Sequence, residues 1–415
     1  MSGLAGRRVV VAGAGLAGIS AALECARLGA RVTLLERRSR LGGLTWSFAH
    51  GDLTFDNGQH VYLACCDQYQ RFLTEIGAAG DVVAPRPLDI PVVAPGRSGP
   101  VVGRLRRRDL PVPLHLAGSL MRYPHISLAS RLNLGRALLG LARLDLDDPA
   151  LDRITFGEWL AARGQAADAV AAVWDLITIP TVNLPASDAS LSVAAMVMKT
   201  GLLSNSAAAD IGWSRVPLGQ LHGERAAAAL ATAGVTVHRE VRVLAVALSE
   251  SGVWEVATSD GPLEADAVVV ALPHEEAAAV VPSSLAAVRG QWSDLGSSAI
   301  VDVHLVFDRR VMPWDLMAAH RSDIQWVFDR SDSSGLNALH PGQQYLAVSL
   351  SAADHLVPVR PSTILASTLD SLRALLPAMS DARLVDSLVT KERRATFAPR
   401  PGTATLRPPA TTAMP

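Results

Sequence analysis

A glycine-spaced turn, Gly13 to Gly18, constrains the fold most strongly because it joins a strand pattern to a helix pattern. Arg8 to Ala12 reads RVVVA, a β-branched run typical of a buried parallel strand, and Leu16 to Leu28 predicts a helix that stops at Gly29. In such a unit the first glycine permits the tight turn, the second lets the backbone approach a pyrophosphate, and the third lets helix and strand pack closely. The helix N-terminus adds free N–H groups and a positive dipole end. We therefore expect a dinucleotide to contact Gly13, Ala14, Gly15, Leu16, Ala17 and Gly18.

The residues after the second predicted strand discriminate between dinucleotides. This strand, Arg31 to Leu35, ends in Glu36, whose carboxylate we expect to accept hydrogen bonds from both ribose hydroxyls. The chain continues as RRSRLGG, and this resembles the second phosphate loop of the FAD-dependent amine oxidase and carotenoid desaturase superfamily. The resemblance implies that glycines close a second backbone segment on the pyrophosphate and that an arginine supplies counter-charge. The expected FAD contacts here are Glu36, Arg37, Arg40, Gly42 and Gly43.

Length and composition narrow the class of protein. A chain of 415 residues exceeds one compact core, so we expect two domains or a cofactor domain with a large insertion. Apolar residues make up 49% of the chain and the net charge is -1, which suggests neither nucleic acid nor an acidic partner. Three scattered cysteines favour a reducing, cytoplasmic compartment, and no apolar run reaches the length that spans a bilayer. We predict no metal site.

A longer resemblance begins at Gly42, where the chain reads GGLTWSFAHGDLTFDNGQHVYLACCDQYQRFLTEIG. This segment resembles the hydroxysqualene dehydroxylases of bacterial hopanoid synthesis, relatives of the phytoene and ζ-carotene desaturases. The resemblance implies an α/β fold with a discontinuous Rossmann-type FAD-binding domain, residues 1–75 and 205–290, and a mixed α+β substrate domain, residues 76–204 and 291–395. The proline-rich tail, residues 396–415, stands where the superfamily has a final strand, a Gly-Asp pair and a helix. We expect this C-terminal FAD-binding element to be missing from the sequence.

The same resemblance assigns a role to a polar corner, Gly58-Gln59-His60. It implies that this corner passes the isoalloxazine ring and that Val61 to Ala64 begin the wall of a tunnel for a hydrocarbon. His60 is the first candidate for a catalytic acid, with His304 or a carboxylate as alternatives, and a structural histidine is the other interpretation. Asp56 is either catalytic or part of a hydrogen-bonded turn. Farther along the chain, backbone near Val241 is expected to reach the adenine.

The resemblance implies a flavoenzyme that removes the hydroxyl of a long-chain isoprenoid, with an electron donor that the sequence does not name. Two alternatives stay open. One is a carotenoid desaturase, in which hydride moves from substrate to flavin. The other is a non-catalytic prenyl-lipid carrier of the GDP-dissociation-inhibitor type.

A basic, apolar middle region raises the question of membrane contact. Residues 97–143 contain nine arginines and one acid, Asp109. At helical spacing, Leu128, Leu132 and Leu139 form an apolar stripe. Such a region suits peripheral contact with an anionic bilayer at the inner face of the cell membrane. A helical substrate domain that covers its own core is an equal alternative.

Overall fold

A computed structural model describes residues 3–282 and 291–407. Its strands have the following bounds: β1 Arg8–Ala12, β2 Arg31–Glu36, β3 Ser47–His50, β4 Leu53–Asp56, β5 Val61–Leu63, β6 Val82–Arg86, β7 Asp89–Ala94, β8 Val101–Arg106, β9 Ile211–Ser214, β10 Thr236–Arg239, β11 Val243–Leu248, β12 Trp254–Thr258, β13 Gly261–Ala265, β14 Ala267–Val270, β15 Ser297–Phe307, β16 Leu316–Ala319, β17 Trp326–Asp329, β18 Gln344–Leu350 and β19 Leu384–Phe397.

The described helices are mostly short. The α-helices are Leu16–Arg27, Asp67–Glu75, Ala117–Leu120, Leu128–Ala142, Phe156–Ala161, Ala167–Ala169, Asp175–Val182, Leu191–Met198, Arg225–Thr232, His274–Val280, Leu336–Leu339 and Pro361–Leu375. Segments with π-helical turns are Val170–Trp174, Lys199–Leu203 and Gln220–Glu224. Single 3₁₀ turns are Ala79–Asp81, Leu114–Leu116, Pro149–Arg153, Asp354–Leu356, Pro377–Asp381 and Thr403–Leu406.

The first sheet is parallel, with strand order β10-β2-β1-β14. Its inner strands are buried on both faces, which is why their sequences are continuous apolar runs rather than alternating ones. The helix Leu16–Arg27 packs Ile19 and Ala22 onto this sheet. The observed strand, turn, helix and strand match the predicted bounds to within one residue.

A second, seven-stranded sheet has the order β19-β15-β18-β17-β16-β7-β8. It combines strands from both segments that we expected in the substrate domain. On β15, alternate residues Val301, Val303 and Leu305 join a buried cluster with Ile364 and Leu372 of the helix Pro361–Leu375. The other face of β15 carries polar residues, described below.

The end of the described chain is packed against the rest of the protein. Strand β19 runs to Phe397, so the expected tail boundary at residue 396 falls inside it. Beyond the strand, Ser190 N–H donates to the Pro399 carbonyl at 2.8 Å, and Gly402 N–H donates to the Asp152 carbonyl at 2.7 Å.

The helix Leu128–Ala142 of the middle region has a buried face and an exposed face. Its inner face buries Leu134, Ala137 and Leu141 in the hydrophobic cluster that also contains Trp159 and Trp174. Its outer face leaves the stripe Leu128, Leu132 and Leu139 exposed. Within the described ranges, no helix is both long enough and apolar enough to cross a membrane.

Candidate functional site: a two-loop cofactor cleft

The first glycine turn has the backbone geometry that its sequence predicts. Gly13 has φ +98°, and a Cβ on Gly18 would lie 1.8 Å from the Gly13 carbonyl oxygen. Both positions therefore require glycine for the fold itself. Gly15 differs, because it is extended with φ -70° and ψ 177° and a side chain there would meet no protein atom closer than 4.0 Å. The structure leaves space above Gly15 that an alanine would fill.

The second glycine loop lies directly opposite this space. Gly42 N–H donates to the Ala14 carbonyl at 2.9 Å, which joins the two loops. A Cβ on Gly43 would lie 3.0 Å from the Gly15 Cα, so the two backbones face each other at close range. The helix Leu16–Arg27 begins here without a side-chain cap or an acidic residue in its first turn. These features together form a cradle for a pyrophosphate.

Glu36 organises the ribose end of the cradle. Its buried carboxylate accepts hydrogen bonds from Ala14 N–H and Arg38 N–H, both at 2.9 Å. Val241 N–H donates to the Glu36 carbonyl at 3.0 Å. Because this N–H is already used, a hydrogen bond from the Val241 backbone to an adenine would have to be made by the Val241 carbonyl. The strand end that carries the ribose carboxylate is thus fixed to both loops.

The two arginines of the second loop have different surroundings. Arg37 is exposed, and its guanidinium forms an ion pair with Glu276 at 2.9 Å. Its charge is therefore paired with a residue of the helix His274–Val280. The Arg40 guanidinium lies 3.8 Å from the ring centre of Trp46. Its Nε is buried and has no hydrogen-bond partner among the described residues, and burial lowers the pKa of this guanidinium. An anion near Arg40 would satisfy that nitrogen.

The polar corner is attached to the second glycine loop rather than remote from it. Asn57 N–H donates to the Trp46 carbonyl at 2.8 Å, and its side-chain amide reaches the Leu44 carbonyl at 3.4 Å. His222 lies near both places. A Cβ built on Gly42 would be 3.5 Å from the His222 Cβ. Burial, with a smaller contribution from the charge of His60, lowers the pKa of His222 to about 3. The corner and the pyrophosphate cradle therefore belong to one cleft.

Both carboxylate oxygens of Asp56 have polar partners, and these contacts hold the corner in place. Its buried carboxylate accepts from Ser47 Oγ at 2.6 Å and from Leu218 N–H at 2.8 Å. Arg330 Nη2 lies 3.1 Å from the other carboxylate oxygen, in an ion pair whose side chains are 8% and 6% exposed. Because every oxygen already has a partner, this arrangement corresponds to the hydrogen-bonded turn, and Asp56 positions the corner.

Gln59 and His60 differ in how their polar groups are placed. Gln59 Nε2 is buried without a partner among the described residues. His60 is solvent-exposed, as expected for a residue that lines a cleft. Many protein atoms nevertheless surround its ring at somewhat greater distance, and they reduce its solvation. That desolvation, with a smaller contribution from the charge of Arg330, lowers the pKa of His60 against the opposing effect of Asp56. The imidazole is thus neutral at physiological pH.

Asp302 is the site residue that the sequence analysis missed. It lies on β15, is 1% exposed, and its Oδ1 has no hydrogen-bond partner among the described residues. A Cβ built on Gly58 would lie 3.6 Å from Asp302 Oδ2 and 3.5 Å from His60 Nε2, so both side chains face the same point. Burial raises the pKa of Asp302 to about 7, assisted by the charge of Asp56 and opposed by a hydrogen bond from Ser349. The corner therefore has a carboxyl group that holds a proton near neutral pH.

His304, an alternative acid, is engaged in a structural network. Its ring is fully buried, lies 2.6 Å from Tyr345 Oη and 3.2 Å from Thr390 Oγ1, and stacks on Phe55. Burial lowers its pKa to about 4. Both ring nitrogens are already in hydrogen bonds, so His304 supports the sheet beneath the corner.

The strand after His60 pairs with an apolar strand. In the sheet β5-β9-β6, Val61 pairs with Trp213 and Leu63 pairs with Ile211, and paired residues project from the same face. Trp213 and Ile211 line a cavity of about 290 Å³, whose lining also includes the charged residues Arg86, Asp89, Arg104 and Asp315. The hydrocarbon tunnel that we expected after His60 stays a prediction.

Comparisons with known proteins place this cleft in a family. The model of the flavin containing amine oxidoreductases matches residues 16–415. A hydroxysqualene dehydroxylase of Rhodopseudomonas palustris is 28% identical over 415 residues, which cover 97% of this chain and 89% of that protein. A ζ-carotene desaturase of Zea mays is 28% identical over 179 residues, 40% of this chain and 31% of that protein.

Solved structures agree on the fold. Cyclohexylamine oxidase from Brevibacterium oxydans superposes with a TM-score of 0.71 at 19% identity, covering 98% of this chain and 91% of that one. An oxidoreductase from Methanosarcina mazei superposes with a TM-score of 0.72 at 14% identity, covering 98% and 92%. The facing glycine loops, the Glu36 carboxylate and the unpartnered nitrogens of Arg40 and Gln59 fit FAD, the cofactor of this fold. The chain belongs to the family of flavin-containing amine oxidoreductases, as an FAD-dependent oxidoreductase.

Proposed function

We propose that this flavoenzyme removes the hydroxyl of hydroxysqualene to give squalene. The observation that carries the proposal is a buried carboxyl with a raised pKa, Asp302, which lies near the same point at Gly58 as His60, just before the strand pair β5 and β9. Loss of a hydroxyl requires an acid, whereas abstraction of hydride from a polyene does not. Similarity to a hydroxysqualene dehydroxylase over 97% of the chain supports the same assignment.

The reaction divides into two bond changes. The carbon–oxygen bond of the alcohol breaks as a proton reaches the leaving oxygen, so water departs and a delocalised allylic cation is left. Reduced FAD supplies the hydride that replaces the hydroxyl. The hydrocarbon tunnel predicted after His60 would limit recapture of the cation by water.

The chain's own residues supply the proton in this scheme. His60 meets the substrate oxygen, because its ring is the open side chain of the corner. Asp302 lies near the same point at Gly58 and holds the proton, because its carboxyl is shielded and its pKa is about 7. A neutral imidazole can accept a proton at one ring nitrogen while it donates from the other. A positioned acid of this kind typically contributes ~10²- to 10⁴-fold in rate.

The surroundings of the reaction are also part of the proposal. The substrate class is a long-chain isoprenoid dissolved in the cell membrane, and the chain works in the cytoplasm with peripheral contact at the inner face of that membrane. The electron donor visits transiently or is another protein.

The second candidate is a carotenoid desaturase, which the similarity to ζ-carotene desaturase supports over 40% of the chain. Anaerobic incubation with hydroxysqualene and reduced flavin, in parallel with phytoene and oxidised flavin, separates the two by product. We expect squalene from the first mixture and no change in the second. Desaturated products from phytoene would reverse the assignment, and tight isoprenoid binding without product in either mixture would favour a lipid carrier.

A further inference from the structure

An arginine-lined cleft lies outside the cofactor site, between β8 and the segment 117–124. It has a volume of about 380 Å³, and its lining includes Arg104, Arg106, Arg108, Arg122 and Ser119. No carboxylate is among its lining residues. The guanidinium groups come from two separate parts of the chain, so the fold brings the charges together.

Most of this charge is not neutralised by the protein. Arg104 and Arg106 share one carboxylate, that of Asp89, at 2.8 and 3.7 Å. Arg108 and Arg122 have no ion pair within the described residues, although Arg122 Nη1 donates to the Gly118 carbonyl at 3.0 Å. Four cations facing a single anion leave a cleft that attracts negative charge.

Arg107 belongs to the same sequence run but does not contribute to the cleft. Its guanidinium forms a two-point contact with Asp210, with Nε at 2.6 Å and Nη2 at 2.8 Å, and only 11% of its side chain is exposed. Asp210 also accepts from Leu88 N–H at 2.9 Å. Arg107 therefore ties the end of β8 to Asp210, and its role differs from that of its neighbours Arg104, Arg106 and Arg108.

Exposed apolar side chains on the segments that line the cleft, or next to them in the chain, form what we call the apolar rim. Val102 lines the cleft and is 45% exposed. Met121, between the lining residues Ser119 and Arg122, is 47% exposed, and Leu114, just before the segment 117–124, is 55% exposed. Arg131 Nη1 donates to the Met121 carbonyl at 2.8 Å, which ties this rim to the helix with the exposed stripe Leu128, Leu132 and Leu139. Cationic and apolar side chains thus occur together on the segments that line the cleft.

We propose that the arginine cleft binds the headgroup phosphate of an anionic phospholipid while the apolar rim enters the acyl region. The planar guanidinium matches two phosphate oxygens at once, and arginine stems pack well against lipid. A phospholipid satisfies both halves of the surface, whereas free phosphate would satisfy only the cations. This inference rests on the proposed function to the extent that a membrane-dissolved substrate requires docking.

The test is co-sedimentation of the FAD-loaded protein with vesicles of phosphatidylcholine alone or mixed with phosphatidylglycerol. Each basic residue near an anionic surface contributes about 1 kcal/mol, so Arg108→Gln with Arg122→Gln should weaken binding to the mixed vesicles by about tenfold or more. Arg373→Gln, an exposed arginine on another helix, is the matched control and should change nothing. Met121→Ser should weaken binding to both kinds of vesicle.

Three outcomes would overturn the assignment. Equal losses in the double variant and in Arg373→Gln would indicate only general charge attraction. Unchanged vesicle binding in the double variant would remove the cleft from the interface. Binding of inorganic phosphate at constant ionic strength that is lost in the double variant, in a protein that does not bind vesicles, would indicate a soluble phosphate ligand. Turnover of detergent-dispersed substrate should stay unchanged in the double variant, so failure of the docking proposal and failure of the proposed reaction give different results.

Discussion

Gly15 and Gly43 face each other across the cofactor cleft, and a Cβ on Gly43 would lie 3.0 Å from the Gly15 Cα. Gly43 also has φ +61°, so its backbone favours glycine, whereas Gly15 has an ordinary extended conformation and room for a methyl group. The fold alone does not require glycine at position 15. We predict that the ligand requires it, because the pyrophosphate of FAD would approach that backbone.

Gly15→Ala should therefore fold normally and lose FAD. We expect its dissociation constant for FAD to rise by at least about tenfold, or ~1.4 kcal/mol, while the apoprotein unfolds at an unchanged denaturant concentration. Gly135→Ala on the exposed face of the helix Leu128–Ala142 is the matched control, and it should retain FAD and gain ~1 kcal/mol of stability. Fluorescence titration with FAD and urea unfolding measure both quantities. Full FAD affinity in Gly15→Ala would contradict the cradle.

Asp56→Asn tests whether Asp56 is structural. The change leaves the buried Arg330 without its counter-ion, so we expect a loss of ~3 to 5 kcal/mol in the free energy of unfolding. Asp370→Asn disrupts an exposed pair with Arg373 and should cost less than ~1 kcal/mol. Urea unfolding of both variants gives the comparison. A stable Asp56→Asn protein that has lost activity would instead assign Asp56 to the chemistry.

Asp302→Asn should lower turnover and change its pH dependence. If Asp302 stores the proton, the wild-type rate falls as pH rises past about 7, and the variant is slower by ~10²-fold without that break. Binding of the substrate should be unaffected, so the loss appears in kcat rather than in KM. A variant that keeps the break near neutral pH would exclude Asp302 as its source.

The same variant has a second readout in stability. The pKa of Asp302 is about 7 in the folded chain against 3.8 in the reference state, so the folded protein keeps a proton that the unfolded chain releases between these values. The contribution of Asp302 to stability therefore falls as pH rises from about 4 to 7. Asp302→Asn removes this slope, and unfolding measured across that pH range should show the difference even in protein without activity.

The contribution of His304 to the free energy of unfolding should depend on pH in the opposite direction to that of Asp302. Its pKa is lowered from 6.5 to about 4, so the unfolded chain binds a proton in that window and the folded chain does not. Stability should fall as pH drops through the window, by up to about 3 kcal/mol from this residue alone. In His304→Asn that contribution should be absent, which urea unfolding at a series of pH values can measure. Identical slopes in both proteins would show that His304 is not held neutral.

The glycine turn could be predicted from the sequence because its determinants are local. The β-branched run, the glycine spacing and the end of the first helix all act within a few residues, and the observed bounds agree. The exposed stripe Leu128, Leu132 and Leu139 was equally readable from helical spacing. The sequence did not show which face of that helix meets the core. The burial of Leu134 and Leu141 depends on distant residues such as Trp159 and Trp174.

Asp302 could not be placed because its partner Gly58 is far away in sequence. One signal was present, since Asp302 and His304 are the polar residues of the run from Ala299 to Phe307, and because they are two apart on a strand they share a face. The pairing of β15 with β18 and β19 decides what that face meets. Likewise, the separation of Arg107 from its basic neighbours depends on Asp210, more than a hundred residues away in the chain.

The most direct test of the account is a single anaerobic turnover of the photoreduced holoenzyme with hydroxysqualene. Flavin absorbance should recover in step with squalene formation, with one squalene for each flavin oxidised, and Asp302→Asn should slow both signals together. Recovery of the oxidised flavin without squalene, or no recovery with hydroxysqualene at all, would contradict the proposed reaction.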